Sequence, residues 1–298
     1  MGDAMIDVAG LRIRVVETGA GDRAPVLLVH GVGGWAENWA AVMPLLAQDG
    51  RRVVAFDLPG FGASERPVAP DYFGVPSFYA TIVDAVGARL GLERPHLIGH
   101  SLGGGIAFVS AVSHPTRYRS LTLAAPGGLG SDIALFLRLM SLPGASLFAR
   151  LGDPRRKALH LLRTCFVDPA RIPPHLLIEA EWYAGTYLES LRVMRAVATI
   201  RGLRPELRER WIARSREYNG PALVVWGRGD VVVPADHAAV VGSVLPQARL
   251  ELIEGAGHLV MAERPAEFAA AVTPFLAQAE RAPSPARTMS RGVADEDP

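Results

Sequence analysis

The residues best suited to chemistry in this chain lie in Gly99-His100-Ser101-Leu102-Gly103, a serine with a glycine two positions away on either side. An apolar run, Pro95-His96-Leu97-Ile98, precedes it, and a helix-like segment over 105–113 follows. At a strand-to-helix turn this pattern pushes the serine oxygen out over the end of a sheet. The backbone there is strained and the neighbours must be small. A hydroxyl exposed in that way is a candidate nucleophile for acyl transfer. It needs a base to take its proton, and the base needs an acid to orient it. Two later loops supply them. Trp226-Gly227-Arg228-Gly229-Asp230 and Glu254-Gly255-Ala256-Gly257-His258 each follow a predicted strand. Ser101, Asp230 and His258 thus form a nucleophile, acid and base set in chain order. The developing oxyanion needs two backbone donors, each typically worth about 3 kcal/mol in the transition state. The N–H groups of Leu102, just after the nucleophile, and Val32, in His30-Gly31-Val32-Gly33-Gly34-Trp35, are the candidates. His30 serves that loop structurally. His100 is expected to turn its side chain away from the reacting face. His96, His114, His160, His175 and His237 carry no motif and are expected at the surface or at helix ends.

Positioning these loops requires strands that end together. Continuous apolar runs at 26–29, 53–56, 97–98, 121–124 and 223–226 predict strands buried on both faces, and 11–17 and 249–253 predict two more. Helical spacing marks 77–90 and 266–278. Strands alternating with helices argue for a mostly parallel sheet wrapped by helices. A long interruption, 126–219, lacks clear buried strands and reads as helices over 133–142, 155–165, 176–183 and 187–200. The expected division is a core over 1–125, a helical cap over 126–219, the rest of the core over 220–280 and a disordered tail over 281–298, rich in Pro, Ser, Arg and acids.

Composition narrows the partners. The chain has 298 residues, enough for two domains or for one large α/β domain with an insertion. With 31 basic and 30 acidic side chains the net charge is +1, so nothing points to nucleic acid or an anionic membrane surface. No run of apolar residues is long enough for a membrane span and no signal peptide is visible. The greasiest stretch, 134–151, is interrupted by Arg138, Pro143 and Arg150 and reads as amphipathic helix. One cysteine, Cys165, cannot form an internal disulfide and has no histidine motif near it. A reducing, cytoplasmic location is expected.

Taken together, these motifs resemble the α/β-hydrolase family. The resemblance spans 11–278 and is carried by the elbow, the His30-Gly31 loop, Phe56-Asp57-Leu58-Pro59-Gly60-Phe61-Gly62-Ala63-Ser64, the turn ending at Asp230 and Gly257-His258. It implies an eight-stranded sheet, a Ser–Asp–His triad, no cofactor and no metal. The eighth strand would lie near 5–8, before those read from the residues. Within the family the chain is similar to capped bacterial carboxylesterases and small-ester lipases. Ser101 argues against epoxide hydrolases and haloalkane dehalogenases, which carry aspartate there. Hydrolases of carbon–carbon bonds in ring-fission dienoates are the closer alternative. They tend to have Asn, Pro and Trp where this chain has His100, Gly34 and Leu259, and they use a cap arginine that Arg192, Arg195 or Arg201 could supply. Cofactor-free haloperoxidase-like members are a further possibility.

The expected substrate is a small-molecule ester with a short to medium apolar acyl group. Trp35, Phe136, Leu139, Met140, Trp182, Tyr187, Met194 and Leu259 are candidate pocket residues, and Tyr183 adds to the apolar supply. Two rivals belong to other classes. Gly31-Val32-Gly33-Gly34-Trp35-Ala36 fits a dinucleotide fingerprint with Asp57 as the ribose acid, which would make the chain an NAD-dependent oxidoreductase. A ligand-binding receptor built on a hydrolase scaffold would also keep the triad.

Overall fold

The structure, a computed structural model, describes residues 1–67, 75–149 and 151–281. The expected disordered tail lies outside them except for Arg281, which ends the last helix. The chain opens with β1 (Gly2–Val8), β2 (Leu11–Thr18) and β3 (Arg23–Val29). Helix α1 (Met43–Ala47), β4 (Arg51–Phe56), α2 (Ser77–Arg89), β5 (His96–His100), α3 (Leu102–Ser113) and β6 (Ser120–Ala124) follow.

An insert comes next, with α4 (Leu135–Met140), α5 (Ala145–Ala149), α6 (Pro154–Thr164), α7 (Pro174–Trp182) and α8 (Tyr187–Val197). A two-stranded ribbon, β7 (Ala198–Thr199) and β8 (Gly202–Leu203), and α9 (Pro205–Ser215) complete it. The core resumes with β9 (Ala222–Gly227), α10 (Val241–Val244), β10 (Ala248–Ile253), α11 (Val260–Glu263) and α12 (Pro265–Arg281).

Eight strands form one sheet in the order β1-β2-β4-β3-β5-β6-β9-β10. From β4 to β10 every neighbouring pair is parallel. The β1–β2 hairpin is antiparallel and turns through Ala9 and Gly10, with φ of +49° and +79°. Strands buried on both faces must be apolar throughout. Leu27, Val29, Leu97, Leu121 and Val224 feed the core under α2 and α3, and Leu28, Ala55, Ile98, Leu223 and Val225 feed the core under α1 and α12. Each fully buried Leu or Phe contributes about 1.5–3 kcal/mol relative to an exposed one.

Several expectations shift. The first strand begins at Gly2 rather than near Met5, because its pairing with β2 extends along the whole edge. Helix α8 stops at Val197, where the chain becomes extended and enters the ribbon. That ribbon turns at Gly202, with φ of +121°, where a Cβ would lie 2.3 Å from the Ser131 carbonyl oxygen. The 134–151 stretch is two helices rather than one, with Pro143 and Gly144 between them. Helices α1, α9, α10 and α11 were not expected; in α9 the apolar positions Leu207, Trp211 and Ile212 are sparse among charges.

His96 corrects the surface expectation. It is fully buried in β5, with Nδ1 2.7 Å from Ser120 Oγ and Nε2 3.4 Å from Glu280. β5 is central and covered on both faces, so a histidine there has no route to solvent. Desolvation holds its pKa down to about 3 and the ring neutral. His114 and His160 are exposed, and His175 and His237 are half-buried in the first turns of α7 and of the short helix Ala235–Val240.

Candidate active site

β5 ends at His100 and α3 begins at Leu102, so Ser101 alone makes the turn, with φ of +54° and ψ of −120°. The turn is possible only because its neighbours lack side chains. A Cβ on Gly99 would lie 2.2 Å from the Gly103 carbonyl oxygen, and one on Gly103 would lie 2.3 Å from that of His30. The Ser101 carbonyl accepts hydrogen bonds from the N–H groups of Gly104 (2.9 Å) and Gly127 (3.1 Å). Among the described residues the N–H groups of Leu102 and Val32 donate to nothing, and Ser101 Oγ makes no hydrogen bond. Both N–H-bearing residues line a cavity of about 810 Å³ together with Ser101.

Asp230 follows β9 and His258 follows β10, so parallel pairing of those strands brings their loops to one edge. Asp230 Oδ2 lies 2.7 Å from His258 Nδ1. The carboxylate is fixed from behind. Its Oδ1 accepts the Val232 and Val233 N–H groups at 2.8 and 3.0 Å, and its Oδ2 accepts Trp226 Nε1 at 3.1 Å. A carboxylate there holds Nδ1 as the donor and leaves Nε2 as the acceptor. His258 and Ser101 line a second, smaller cavity of about 120 Å³.

Glu263 of α11 holds the His258 loop. It is buried and accepts the N–H groups of Gly257 (2.7 Å), Asp168 (2.8 Å) and Val167 (3.2 Å). The Leu259 N–H donates to the Cys165 carbonyl at 3.1 Å, so the insert grips this loop as well. Burial pushes the Cys165 thiol up to about 12, which removes it as a nucleophile.

His100 does not turn away from the site. Its ring lies 4.6 Å from that of His258, and Nε2 donates to the His258 carbonyl at 2.9 Å. Desolvation first, and His258 second, hold its pKa well below the ordinary value. His100 keeps the alternation of β5, on the face of Ile98, where Trp39 packs against it with ring centroids 6.4 Å apart; what the strand's own pattern does not record is that the His258 loop reaches that face.

His30 behaves as a structural residue. Nε2 accepts the Leu58 N–H at 2.9 Å and Nδ1 donates to the Gly31 carbonyl at 2.7 Å; burial lowers its pKa to about 4. Asp57 is occupied in the same way. It accepts the N–H groups of Ala36 (2.7 Å) and Ala63 (2.9 Å), faces Arg14, and is pushed up to about 6 by burial. A carboxylate engaged in closing the loop is not available to a ribose, which removes the support for a dinucleotide site.

The alpha/beta hydrolase fold family profile matches residues 24–265. The chain belongs to this family. It is 32% identical to a 2-hydroxymuconate semialdehyde hydrolase of Pseudomonas sp. (strain CF600) over 294 residues, which cover 93% of this chain and 94% of that protein. It is 30% identical to a 2-hydroxy-6-oxo-6-phenylhexa-2,4-dienoate hydrolase of Comamonas testosteroni, covering 91% and 93%. Among solved structures, a membrane phospholipase A described as a bacterial virulence factor matches with a TM-score of 0.77 at 28% identity, covering 94% of this chain and 87% of that one.

In this α/β hydrolase Trp35, Phe136, Met140, Tyr187 and Leu259 line the smaller cavity and Met194 the larger. Leu139 and Trp182 do not. They are 47% and 75% exposed, because α4 turns Leu137 and Met140 inward and leaves Leu139 outside, while Trp182 ends α7 on its outer side. Trp35 is anchored to the insert, with Nε1 2.7 Å from Glu179, whose carboxyl burial pushes up to about 7. Arg192 and Arg195 line the larger cavity and Arg201 lies on an exposed turn. Among the described residues no three His, Cys, Asp or Glu side chains group as metal ligands, and no helix is long and apolar enough to cross a membrane.

Proposed function

We propose that this α/β hydrolase cleaves small carboxylic esters through an acyl-enzyme on Ser101. Ser101 Oγ attacks the carbonyl carbon while its proton passes to His258 Nε2. Asp230 stabilises the imidazolium, and the N–H groups of Leu102 and Val32 receive the oxyanion. His258 then gives the proton to the departing alcohol oxygen. Water attacks the acyl-enzyme, its proton returns through His258, and the acid leaves. The observation that carries this reading is the 2.7 Å contact of Asp230 with His258, which shares a cavity wall with a serine at φ of +54°.

The two cavities support an arrangement of the two halves of the ester. His258 lines the smaller cavity and not the larger, and the leaving oxygen must meet His258. The alcohol side therefore occupies the smaller cavity and the acyl side the larger, whose volume lies in the usual range for ligand sites. Helices of the 126–219 insert wall both cavities and act as a cap on the 1–125 and 220–280 core.

An organophosphonate probe tests this directly: it is expected to label Ser101 alone, and Ser101→Ala to lose both labelling and ester turnover. Labelling elsewhere overturns the reading. Carbon–carbon cleavage is the second reading, favoured by the names of the two curated relatives and by Arg192 and Arg195 in the cavity wall. Assaying methyl esters beside a ring-fission dienoate decides between them.

A further inference from the structure

We propose that the larger cavity selects acyl groups ending in an anion, bound by arginines on and beside α9; the proposal rests on the assignment of Ser101 as nucleophile. Helix α3 walls one side of the cavity. Leu102, Gly105, Phe108 and Val109 form its floor, a helical stripe that starts beside Ser101 and runs about 10 Å outward. At the level of Phe108 the α9 side chain Trp211 stacks on it, with ring centroids 4.0 Å apart and planes 29° apart. Ile133, Leu137 and Met194 keep the intervening walls apolar.

The charge of this enclosure is one-sided. Arg192, Arg195, Arg204, Arg208, Arg210 and Arg214 all line it, and Glu206 is the one acid among its described lining residues. The chain as a whole carries only +1, so the concentration is local. Three of the six face carboxylates: Arg192 with Glu189 (3.2 Å), Arg204 with Glu206 (3.6 Å) and Arg214 with Glu217 (3.6 Å). Among the described residues Arg195, Arg208 and Arg210 pair with none. Arg195 Nη2 donates to the Leu142 carbonyl at 3.3 Å while its Nε is buried with no partner, and Arg208 donates Nε to the Leu129 carbonyl at 3.3 Å, which leaves its terminal nitrogens unassigned.

Guanidinium groups lining one apolar cavity give it an excess of positive charge, which a terminal anion on an apolar stem offsets. The stem lies on the α3 stripe, the ester carbonyl sits at Ser101, and the planar fork of each arginine suits a carboxylate or a phosphate. The proposal departs from the expectation of an apolar acyl group.

The test compares methyl octanoate with monomethyl suberate and methyl ω-phosphooxyoctanoate, by acid release in a pH-stat. Wild type is expected to favour at least one anionic ester by about tenfold in kcat/KM, since a charge-assisted contact is worth that much. The preferred ester identifies the anion as carboxylate or phosphate. In Arg208→Gln/Arg210→Gln that preference is expected to collapse toward unity, and in wild type it is expected to shrink as salt is raised. Equal or better turnover of methyl octanoate by wild type overturns the proposal, whether or not the variant folds, while leaving Ser101 as nucleophile. Retained activity of Ser101→Ala on all three esters overturns the underlying reading instead.

Discussion

Replacing Asp230 with asparagine separates electrostatics from packing, because the surrounding donors dictate how the amide must sit. Oδ1 faces two backbone N–H groups, of Val232 and Val233, whereas Oδ2 faces His258 Nδ1 and Trp226 Nε1. Turning the amide nitrogen toward the backbone pair would set donor against two donors that cannot move. The nitrogen therefore points to His258. Trp226 Nε1 already shares its proton with the Val233 carbonyl at 3.1 Å, so it keeps a partner. His258 does not keep its tautomer. Facing a donor, Nδ1 becomes the acceptor and Nε2 carries the proton, so in the proposed mechanism the ring no longer accepts the Ser101 proton. The expected loss in kcat is on the order of 10⁴, as for loss of the orienting acid in serine hydrolases. The stability cost is only about 1–2 kcal/mol, one charge-assisted contact partly replaced. The assay pairs kcat on a methyl ester with a urea midpoint, and nitrogen NMR of His258 reads the tautomer. Activity within tenfold of wild type, or an inactive protein whose His258 keeps Nδ1–H, refutes the reasoning.

Three other outcomes follow from the same contacts. Ser101→Gly is expected to raise the urea-derived stability by about 1 kcal/mol over Ser101→Ala, because glycine relieves the positive φ while both variants lose turnover. Glu263→Ala leaves the buried N–H groups of Gly257, Val167 and Asp168 without their acceptor; it is expected to cost about 3–5 kcal/mol and to lower kcat more than it changes KM. His30 folds neutral, with its pKa lowered from 6.5 to about 4, so between those values the unfolded state binds more protons and stability falls as pH falls. Asp57, raised from 3.8 to about 6, works in the opposite direction over much of that window. The difference between wild type and His30→Gln isolates the histidine, with about 3 kcal/mol of pH-dependent stability between pH 6.5 and 4 expected to disappear in the variant.

Much of the architecture was legible because it follows from short-range rules. Doubly buried parallel strands must be apolar throughout, so 26–29, 53–56, 121–124 and 223–226 were readable as strands without knowing their neighbours. The elbow was readable because only glycine tolerates the approach of the Gly103 and His30 carbonyls. Elements set by long-range packing were not. Helix α9 is largely charged, and its place comes from Trp211 meeting Phe108 across a gap of 103 residues in sequence. His96 and Arg51 look like surface residues in isolation, yet both are buried against Glu280 of the last helix.

By itself the sequence determined which residue types could perform acyl transfer and that each follows a strand, because turn chemistry and hydrophobic runs are local properties. Strand order, which sets Asp230 beside His258 and folds His100 against it, was decided only in three dimensions. So were the outward turns of Leu139 and Trp182, and the gathering of arginines from α8 and α9 around one cavity. Those outcomes depend on how distant surfaces exclude water from one another, and no window along a chain records which surfaces will meet.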